Sequence, residues 1–272
     1  MSRMNPSLDR RELLRNGGLV LSMGAVIAAC GSNRGGVDAP GRLGVADEGP
    51  ESIDTTVNDV VLLRTAQSLE YTALDLYAAA GDLGVLDGGA ATLAERFVED
   101  HTGHAARIGA LITDLGGEEF TCANPFLVDR AVGPVLAAIA DSDDQLRDVL
   151  NVAYAFEELA GRSYQALVSA ISGDNQGARA EAMRIGGDEQ RHAAALARAI
   201  NPDATINPTL VGGEVADTDA DGFPIPYAIP SVFGQLTGVP IVLGAPNDEG
   251  ARFSATLQTP AQNSFVYEAL SC

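Results

Sequence analysis

Three histidines, the only ones in the 272-residue chain, carry the clearest signal of chemistry in this sequence. His101 and His104 lie three residues apart, and Glu189 and His192 repeat the same spacing later in the chain. Residues three or four apart share one face of a helix, so each pair can present two side chains to one point. Because imidazole and carboxylate groups bind transition metals, this spacing predicts a metal site between helices.

Two glutamates extend this pattern, because Glu70 and Glu157 each lie on an apolar stripe with helical spacing. A carboxylate buried on such a stripe is costly unless it meets a cation or a metal. Tyr77 and Tyr164 follow the two glutamates by one heptad each, which places them as hydrogen-bond donors behind the metal ligands. Glu158 shares its face with polar residues and is predicted to be solvated.

The helices that carry these residues form an internal repeat. Glu70 precedes His104 by 34 residues, and Glu157 precedes His192 by 35. This near-equal spacing predicts a duplicated helical hairpin, folded around a pseudo-twofold axis. Asp100 precedes His104 by four residues, so it is expected near the face of that histidine as an additional negative charge.

Four long helices must position these side chains, and capping residues and glycines indicate where they begin and end. The predicted helices span residues 57–80, 93–115, 143–171 and 175–200. The capping boxes predicted for the first three helices are Thr56 with Asp59, Thr92 with Glu95, and Ser142 with Gln145. The long connection over 117–141 contains an apolar segment, 132–140, that is predicted as a short extra helix.

This arrangement resembles the ferritin-like di-iron carboxylate proteins, in which four helices carry Glu, Glu-x-x-His, Glu and Glu-x-x-His in turn. Glu189-Gln-Arg-His192 matches the motif in full, and Glu70 and Glu157 match the single-glutamate helices. His101 departs from it, since the family has a bridging Glu there. The resemblance implies an all-α, ferritin-like four-helix bundle with a long crossover between helices 2 and 3, followed by a non-helical C-terminal extension.

The resemblance also implies one or two transition-metal ions, iron first, with zinc, manganese or copper as alternatives. The implied ligands are Glu70, His101, His104, Glu157, Glu189 and His192. An imidazole in place of one carboxylate leaves less negative charge to offset two divalent ions, so the nuclearity stays open. Two functions stay open as well: a ferroxidase or peroxide-reducing enzyme, whose catalytic residues the sequence does not name, and a non-catalytic scaffold or stress-related binding module with a structural or degraded metal site.

The first 30 residues resemble an export signal that ends in a lipidation site. Arg10 and Arg11 resemble the twin-arginine motif of Tat signals, and the uncharged run 16–29 is too short to span a bilayer. The end of that run, together with Cys30, resembles a lipobox. These features predict export by Tat and a lipid anchor on the extracytoplasmic face of the cell membrane; a Sec-type signal with an unmodified Cys30 is the alternative.

The rest of the chain divides by composition into three parts. The predicted parts are a flexible linker at 31–54, the bundle at 55–201, and a Pro-rich extension at 202–272 that wraps the bundle and contains short strands at 239–243 and 253–257. Cys122 and Cys272 remain as a pair in an oxidising compartment, where they form a disulfide or stay as two free thiols.

The net charge excludes one class of partner. The chain has 37 acidic and 17 basic residues, which gives a formal charge of −20. Nucleic-acid binding requires a basic surface, so it is not expected. The membrane, reached through the N-terminal lipid, is the one partner that the sequence predicts. The chain is also compatible with a homo-oligomer, and no protein partner is identified.

Overall fold

The computed structural model describes residues 57–140, 142–203, 221, 223 and 239–257. The predicted export signal with Cys30, the linker, and most of the C-terminal extension with Cys272 lie outside these residues. None of the described helices is both long and apolar enough to cross a membrane.

The described chain is dominated by four long helices, and the predicted all-α bundle with a long crossover is confirmed. The long helices are α1 (Asp59–Asp82), α2 (Gly88–Asp114), α5 (Gln145–Ala170) and α6 (Gln176–Ile200). The crossover between α2 and α5 contains α3 (Pro125–Leu127), a π-helical turn (Val128–Val132) and α4 (Gly133–Ile139). The extra helical segment therefore begins seven residues earlier than the predicted 132–140.

The capping box predicted for the first helix is wrong. Asn58 is the N-cap of α1, and its side-chain oxygen accepts a hydrogen bond from the backbone N–H of Val61 at 3.0 Å. Asp59 instead accepts hydrogen bonds from the backbone N–H of Ser172, at 2.8 Å, and from the side chain of Asn175. Its carboxylate thus links the start of α1 to the loop between α5 and α6.

The capping residues predicted for the second and third helices are also displaced. Helix α2 begins after Asp87, because the glycines that follow do not interrupt it, and Thr92 donates to the Gly88 carbonyl inside the helix at 3.1 Å. Helix α5 begins after Asp144, whose carboxylate accepts from the backbone N–H of the third residue beyond it at 3.0 Å. The hydroxyl of Ser142 donates to Asp148 at 2.6 Å instead.

The crossover is fastened to α1 by Asn124. Its side-chain oxygen caps α3 by accepting from the Leu127 N–H at 3.1 Å, and its backbone N–H donates to the Thr72 hydroxyl at 2.8 Å. Its amide group also donates to the Ser68 hydroxyl at 3.2 Å. Nearby, Cys122 is disulfide-bonded. Because Cys272 lies outside the described residues, its pairing with Cys122 stays a prediction.

The two strands of the extension lie where the sequence places them. They are β1 (Val239–Leu243) and β2 (Phe253–Leu257), which pair antiparallel. The hairpin is held on α5 by Asn151, whose amide donates to the Val242 carbonyl, and by Asp148, which accepts from the Gly244 N–H at 2.6 Å. The buried strand residues join an apolar cluster with α1 and α5. This hairpin therefore packs against the bundle.

Candidate metal centre

All six predicted metal ligands meet inside the bundle, and none is more than 5% exposed. They come from all four long helices: Glu70 from α1, His101 and His104 from α2, Glu157 from α5, and Glu189 and His192 from α6. Their ligand atoms form two groups, each within 4.8 Å, which share His101 and Glu189. We call them group 1 and group 2.

Group 1 consists of Glu70, His101, His104 and Glu189. The Nδ1 atom of His101 lies 2.8 Å from Glu70 Oε2, and the Nδ1 atom of His104 lies 2.8 Å from Glu189 Oε1. His104 Nδ1 is also 3.4 Å from Glu70 Oε2. Two carboxylates and two ring nitrogens therefore face a common point.

Group 2 consists of His101, Glu157, Glu189 and His192. Here His101 contributes its other nitrogen, because Nε2 lies 3.1 Å from Glu157 Oε1. The Nδ1 atom of His192 lies 3.1 Å from Glu189 Oε2 and 3.4 Å from Glu157 Oε2. Group 2 thus repeats the composition of group 1.

Two aspartates lie behind His104 and His192, the outer histidines, each of which belongs to one group only. Asp100 Oδ2 is 3.2 Å from His192 Nε2, and Asp188 Oδ2 is 3.5 Å from His104 Nε2. The expectation that Asp100 lies at the face of His104 is wrong, because its carboxylate points across to the histidine of α6. Asp188 was missed, although the repeat aligns it with Asp100. A carboxylate at Nε2 favours the tautomer with its proton there, which leaves Nδ1 free to bind a metal.

The two tyrosines cross between the helix pairs. Tyr77 of α1 donates a hydrogen bond to Glu157 of α5, and Tyr164 of α5 donates to Glu70 of α1. Each phenol therefore supports the glutamate of the other helix pair rather than the one on its own helix. These reciprocal bonds agree with a pseudo-twofold arrangement and hold the carboxylates in place.

Burial and charge pairing set the ionisation of the cluster when no ion is bound. Burial opposes the charged form of Glu70, but hydrogen bonds from His101 and His104 outweigh it and lower its pKa to about 2. Burial raises the pKa of Glu189, and its neighbours Glu70 and Glu157 add to that increase, which the positive charge of His101 opposes. The three carboxylates are thus unequal, and Glu189 holds a proton most readily.

The pKa values of the histidines are raised, which favours their charged form. Burial lowers the pKa of His104, but Glu189 and Glu70 outweigh it and raise the value to about 9. The same balance with Glu157 and Glu189 raises the pKa of His192 to about 10. Without an ion, protons on the imidazoles therefore offset the buried carboxylates.

Two glycines allow α5 and α6 to approach beside the site. A Cβ atom on Gly186 would lie 2.9 Å from the Cβ of Tyr164, whereas one on Gly161 would meet the side chain of Gln190. Two other glycines lie beside the ligands: Gly187 faces open space, and Gly103 meets only the end of an arginine side chain. Close helix approach therefore depends most on Gly186, because the Gln190 side chain can move and the Cβ of Tyr164 cannot.

Two neighbouring acidic residues lie outside the cluster. The predicted solvation of Glu158 is wrong: the residue is buried, and Arg162 lies 3.3 Å from its carboxylate one helical turn away. The positive charge of Arg162 offsets the cost of burying the Glu158 carboxylate. The polar residues that share its helix face do not reveal this burial. Glu99 is exposed and pairs with Arg96 at 3.5 Å, so it adds no charge to the centre.

Two buried atoms indicate that the residues fit a metal. His104 Nδ1 and Glu189 Oε1 are buried and make no hydrogen bond, although they lie only 2.8 Å apart. Buried polar atoms that make no hydrogen bond are costly, and an ion between them would satisfy both. Buried carboxylates and imidazoles together are the ligands that iron, manganese and zinc accept. The donor set and its orphaned atoms therefore fit a transition-metal site.

The fold and the site together define a class of protein, a four-helix bundle that holds carboxylate and imidazole groups between its helices. The profile of the Ferritin-like domain matches residues 58–202, which is more than half of the chain. The protein therefore belongs to the ferritin-like domain family. Among curated proteins, none matches the chain.

Proposed function

We propose that this ferritin-like protein binds one or two transition-metal ions, with iron first, in its buried centre and oxidises Fe(II) with oxygen or a peroxide. The observation that carries the proposal is the convergence of three carboxylates and three imidazoles, each buried, on two adjoining points. An isolated buried carboxylate or histidine has ordinary structural roles, whereas six such groups on four helices need their charges offset, and metal ions at their centre do so.

The residues would divide the work as follows. Glu70 and His104 would hold an ion in group 1, Glu157 and His192 would hold one in group 2, and Glu189 would serve both. The outer carboxylates and the crossed tyrosines would orient these ligands and exclude water from them. A redox-active ion such as iron supplies the one-electron chemistry that the protein side chains lack.

A second function, a structural metal site in a non-catalytic bundle, is favoured by one observation. The six ligands are at most 5% exposed, which leaves little access for a substrate other than an ion or a very small molecule. His101 in place of the family's glutamate points the same way. Structural sites are closed, whereas catalytic sites keep an open position.

Elemental analysis and oxygen uptake test the first function against the second. We expect the purified protein to contain iron or another transition metal, to lose it in a Glu189→Ala, His192→Ala variant, and to consume oxygen in proportion to added Fe(II). One equivalent of zinc with no Fe(II)-dependent oxygen uptake would select the structural site. No metal in the native protein would overturn both.

The neighbouring acids Glu157 and Glu158 offer a matched control. Both are buried on α5, but only Glu157 belongs to a cluster, while Glu158 is paired with Arg162. We expect Glu157→Gln to lower metal content and Glu158→Gln to retain it. Equal losses would show that metal content follows fold stability rather than coordination.

We also propose that the chain is exported by Tat and anchored by lipid on Cys30. The support is the twin-arginine and lipobox pattern at the N-terminus, and a folded bundle is the kind of cargo that can receive its metal before export. Radiolabelled palmitate should enter the native protein and not a Cys30→Ser variant, which should leave the membrane fraction. Membrane attachment that survives the substitution would contradict this proposal.

A further inference from the structure

His101 differs from the other two histidines in how its ring is used. His104 and His192 each direct Nδ1 to the clusters and Nε2 to an aspartate outside them. His101 has both ring nitrogens inside, with Nδ1 at 2.8 Å from Glu70 and Nε2 at 3.1 Å from Glu157. Within the described part of the chain, both hydrogen-bond contacts of His101 are with glutamates of the centre.

The two nitrogens of His101 face glutamates of different groups. Nδ1 lies with the group 1 atoms, where Glu189 Oε1 is 3.8 Å away, and Nε2 lies against Glu157, which belongs to group 2 alone. Glu189 also contacts both groups, since its Oε1 lies 2.8 Å from His104 of group 1 and its Oε2 lies 3.1 Å from His192 of group 2. One imidazole and one carboxylate are therefore the residues that join the two groups.

From this geometry, and resting on the proposed metal-binding function, we propose that His101 bridges two metal ions through its two ring nitrogens. Metal–nitrogen bonds of roughly 2 Å on either side of the ring hold the ions about 6 Å apart. Two-metal sites of the usual kind have separations of about 3.5–4 Å. His101 thus makes this centre wider than one bridged by carboxylates.

Charge balance is consistent with this bridge. Both nitrogens bind only when the ring has released its N–H proton to solvent, so the bridging ring carries one negative charge. Together with Glu70, Glu157 and Glu189 it restores the four negative charges that offset two divalent ions. A neutral imidazole in place of the family's glutamate would leave that balance one charge short.

Copper is a suitable probe, because it binds imidazole well and two coupled Cu(II) ions give an electron paramagnetic resonance spectrum that reports their separation. We expect the full-length protein with two equivalents of Cu(II) to show a coupled pair at about 6 Å. His101→Glu should shorten the separation to about 3.5–4 Å. His101→Gln should weaken the coupling strongly, because only the carboxylate of Glu189 then joins the two groups, whereas the Glu158→Gln control should leave it unchanged.

The outcomes separate this inference from the proposed function. A wild-type protein that binds a single Cu(II), or a pair at about 3.5–4 Å, would overturn the bridge while metal binding stands. Coupling of unchanged strength in a folded His101→Gln protein would do the same. Failure of the native protein to bind Cu(II) or any other transition metal would instead overturn the proposed function. The wild-type spectrum decides the matter even where a variant does not fold.

Discussion

The two helix pairs, α1 with α2 and α5 with α6, build the same half-site from different residues. Each supplies one glutamate, one outer histidine, one tyrosine and one aspartate at equivalent places. The pairs differ at the inner position, where α2 carries His101 and α6 carries Glu189. A duplicated hairpin can thus keep its outer supports while one inner ligand changes, because those supports reach across to the opposite pair.

The pairs also differ in packing. Where α5 and α6 have Gly161 and Gly186, the repeat places Leu74 and Val98 on α1 and α2. Both glycines contact the opposite helix of their own pair, since an added Cβ would collide there. The second pair therefore combines the complete Glu-x-x-His sequence, Glu189 to His192, with the glycines between its helices. The first pair has His101 in place of the first glutamate of that motif.

Removal of the shared carboxylate should have the largest effect on the centre. Glu189 belongs to both groups, whereas Glu70 and Glu157 belong to one each. We expect Glu189→Gln to weaken metal binding by more than about 100-fold, which is the upper end of the effect of losing a residue that only supports a ligand. The variant should also retain less metal than Glu70→Gln or Glu157→Gln. Metal content after dialysis checks this. Equal losses for all three variants would show that the groups do not share Glu189.

The second-largest effect should be the change in stability of the metal-free protein with pH. Protonated histidines stabilise the fold below the ordinary histidine pKa of 6.5, and this contribution is lost as the pH rises through the raised values, about 9 for His104 and about 10 for His192. The free energy of unfolding should therefore fall between about pH 7 and pH 10, by at most about 1.4 kcal/mol per unit of pKa shift.

Denaturation of the chelator-treated protein at successive pH values measures this fall, and NMR titration assigns it to the two helix pairs. Both histidines should lose their protons well above the ordinary histidine pKa of 6.5. Stability that is flat from pH 7 to 10 would contradict the raised pKa values.

The amino-acid sequence predicts which side chains converge in the centre better than it predicts the limits of the helices. The six converging residues follow from helical spacing and from the scarcity of histidine, because each of the three histidines needs an explanation. The start of α2 was missed because Gly88 and Gly89 look like a loop, although Asp87 precedes them as an N-cap. Capping depends on which donors lie nearby in space, as Asp59 shows by bonding to Ser172 instead of its own helix.

Contacts between helices were the part of the site that was hardest to predict from the sequence. When Glu70 is aligned with Glu157 and His104 with His192, Tyr77 falls on Tyr164 and Asp100 on Asp188. This alignment does not show which partner lies across the bundle. Each of these side chains crosses to the other pair. Glu158 was misplaced for the same reason, since its burial is decided by the neighbouring elements and by Arg162.

The outer aspartates allow the two halves to be compared directly. Asp100 lies at hydrogen-bond distance from His192, 3.2 Å, whereas Asp188 is 3.5 Å from His104. Loss of such a partner lowers metal affinity by about 10–100-fold. We expect Asp100→Asn to fall toward the upper end of that range and Asp188→Asn toward the lower end, as measured by competition with a chelator. A larger effect for Asp188→Asn would reverse the comparison.

The smallest effect concerns packing in the second pair. Gly186→Ala should destabilise the protein by about 1–3 kcal/mol, because the new methyl group meets the Cβ of Tyr164, the residue that supports Glu70. Gly187→Ala is the matched control: its Cβ meets nothing within 4 Å, so the gain in helix propensity should stabilise by up to about 1 kcal/mol. Urea denaturation of both variants gives the two signs, and a stabilised Gly186→Ala protein would show that close approach of α5 and α6 is not required.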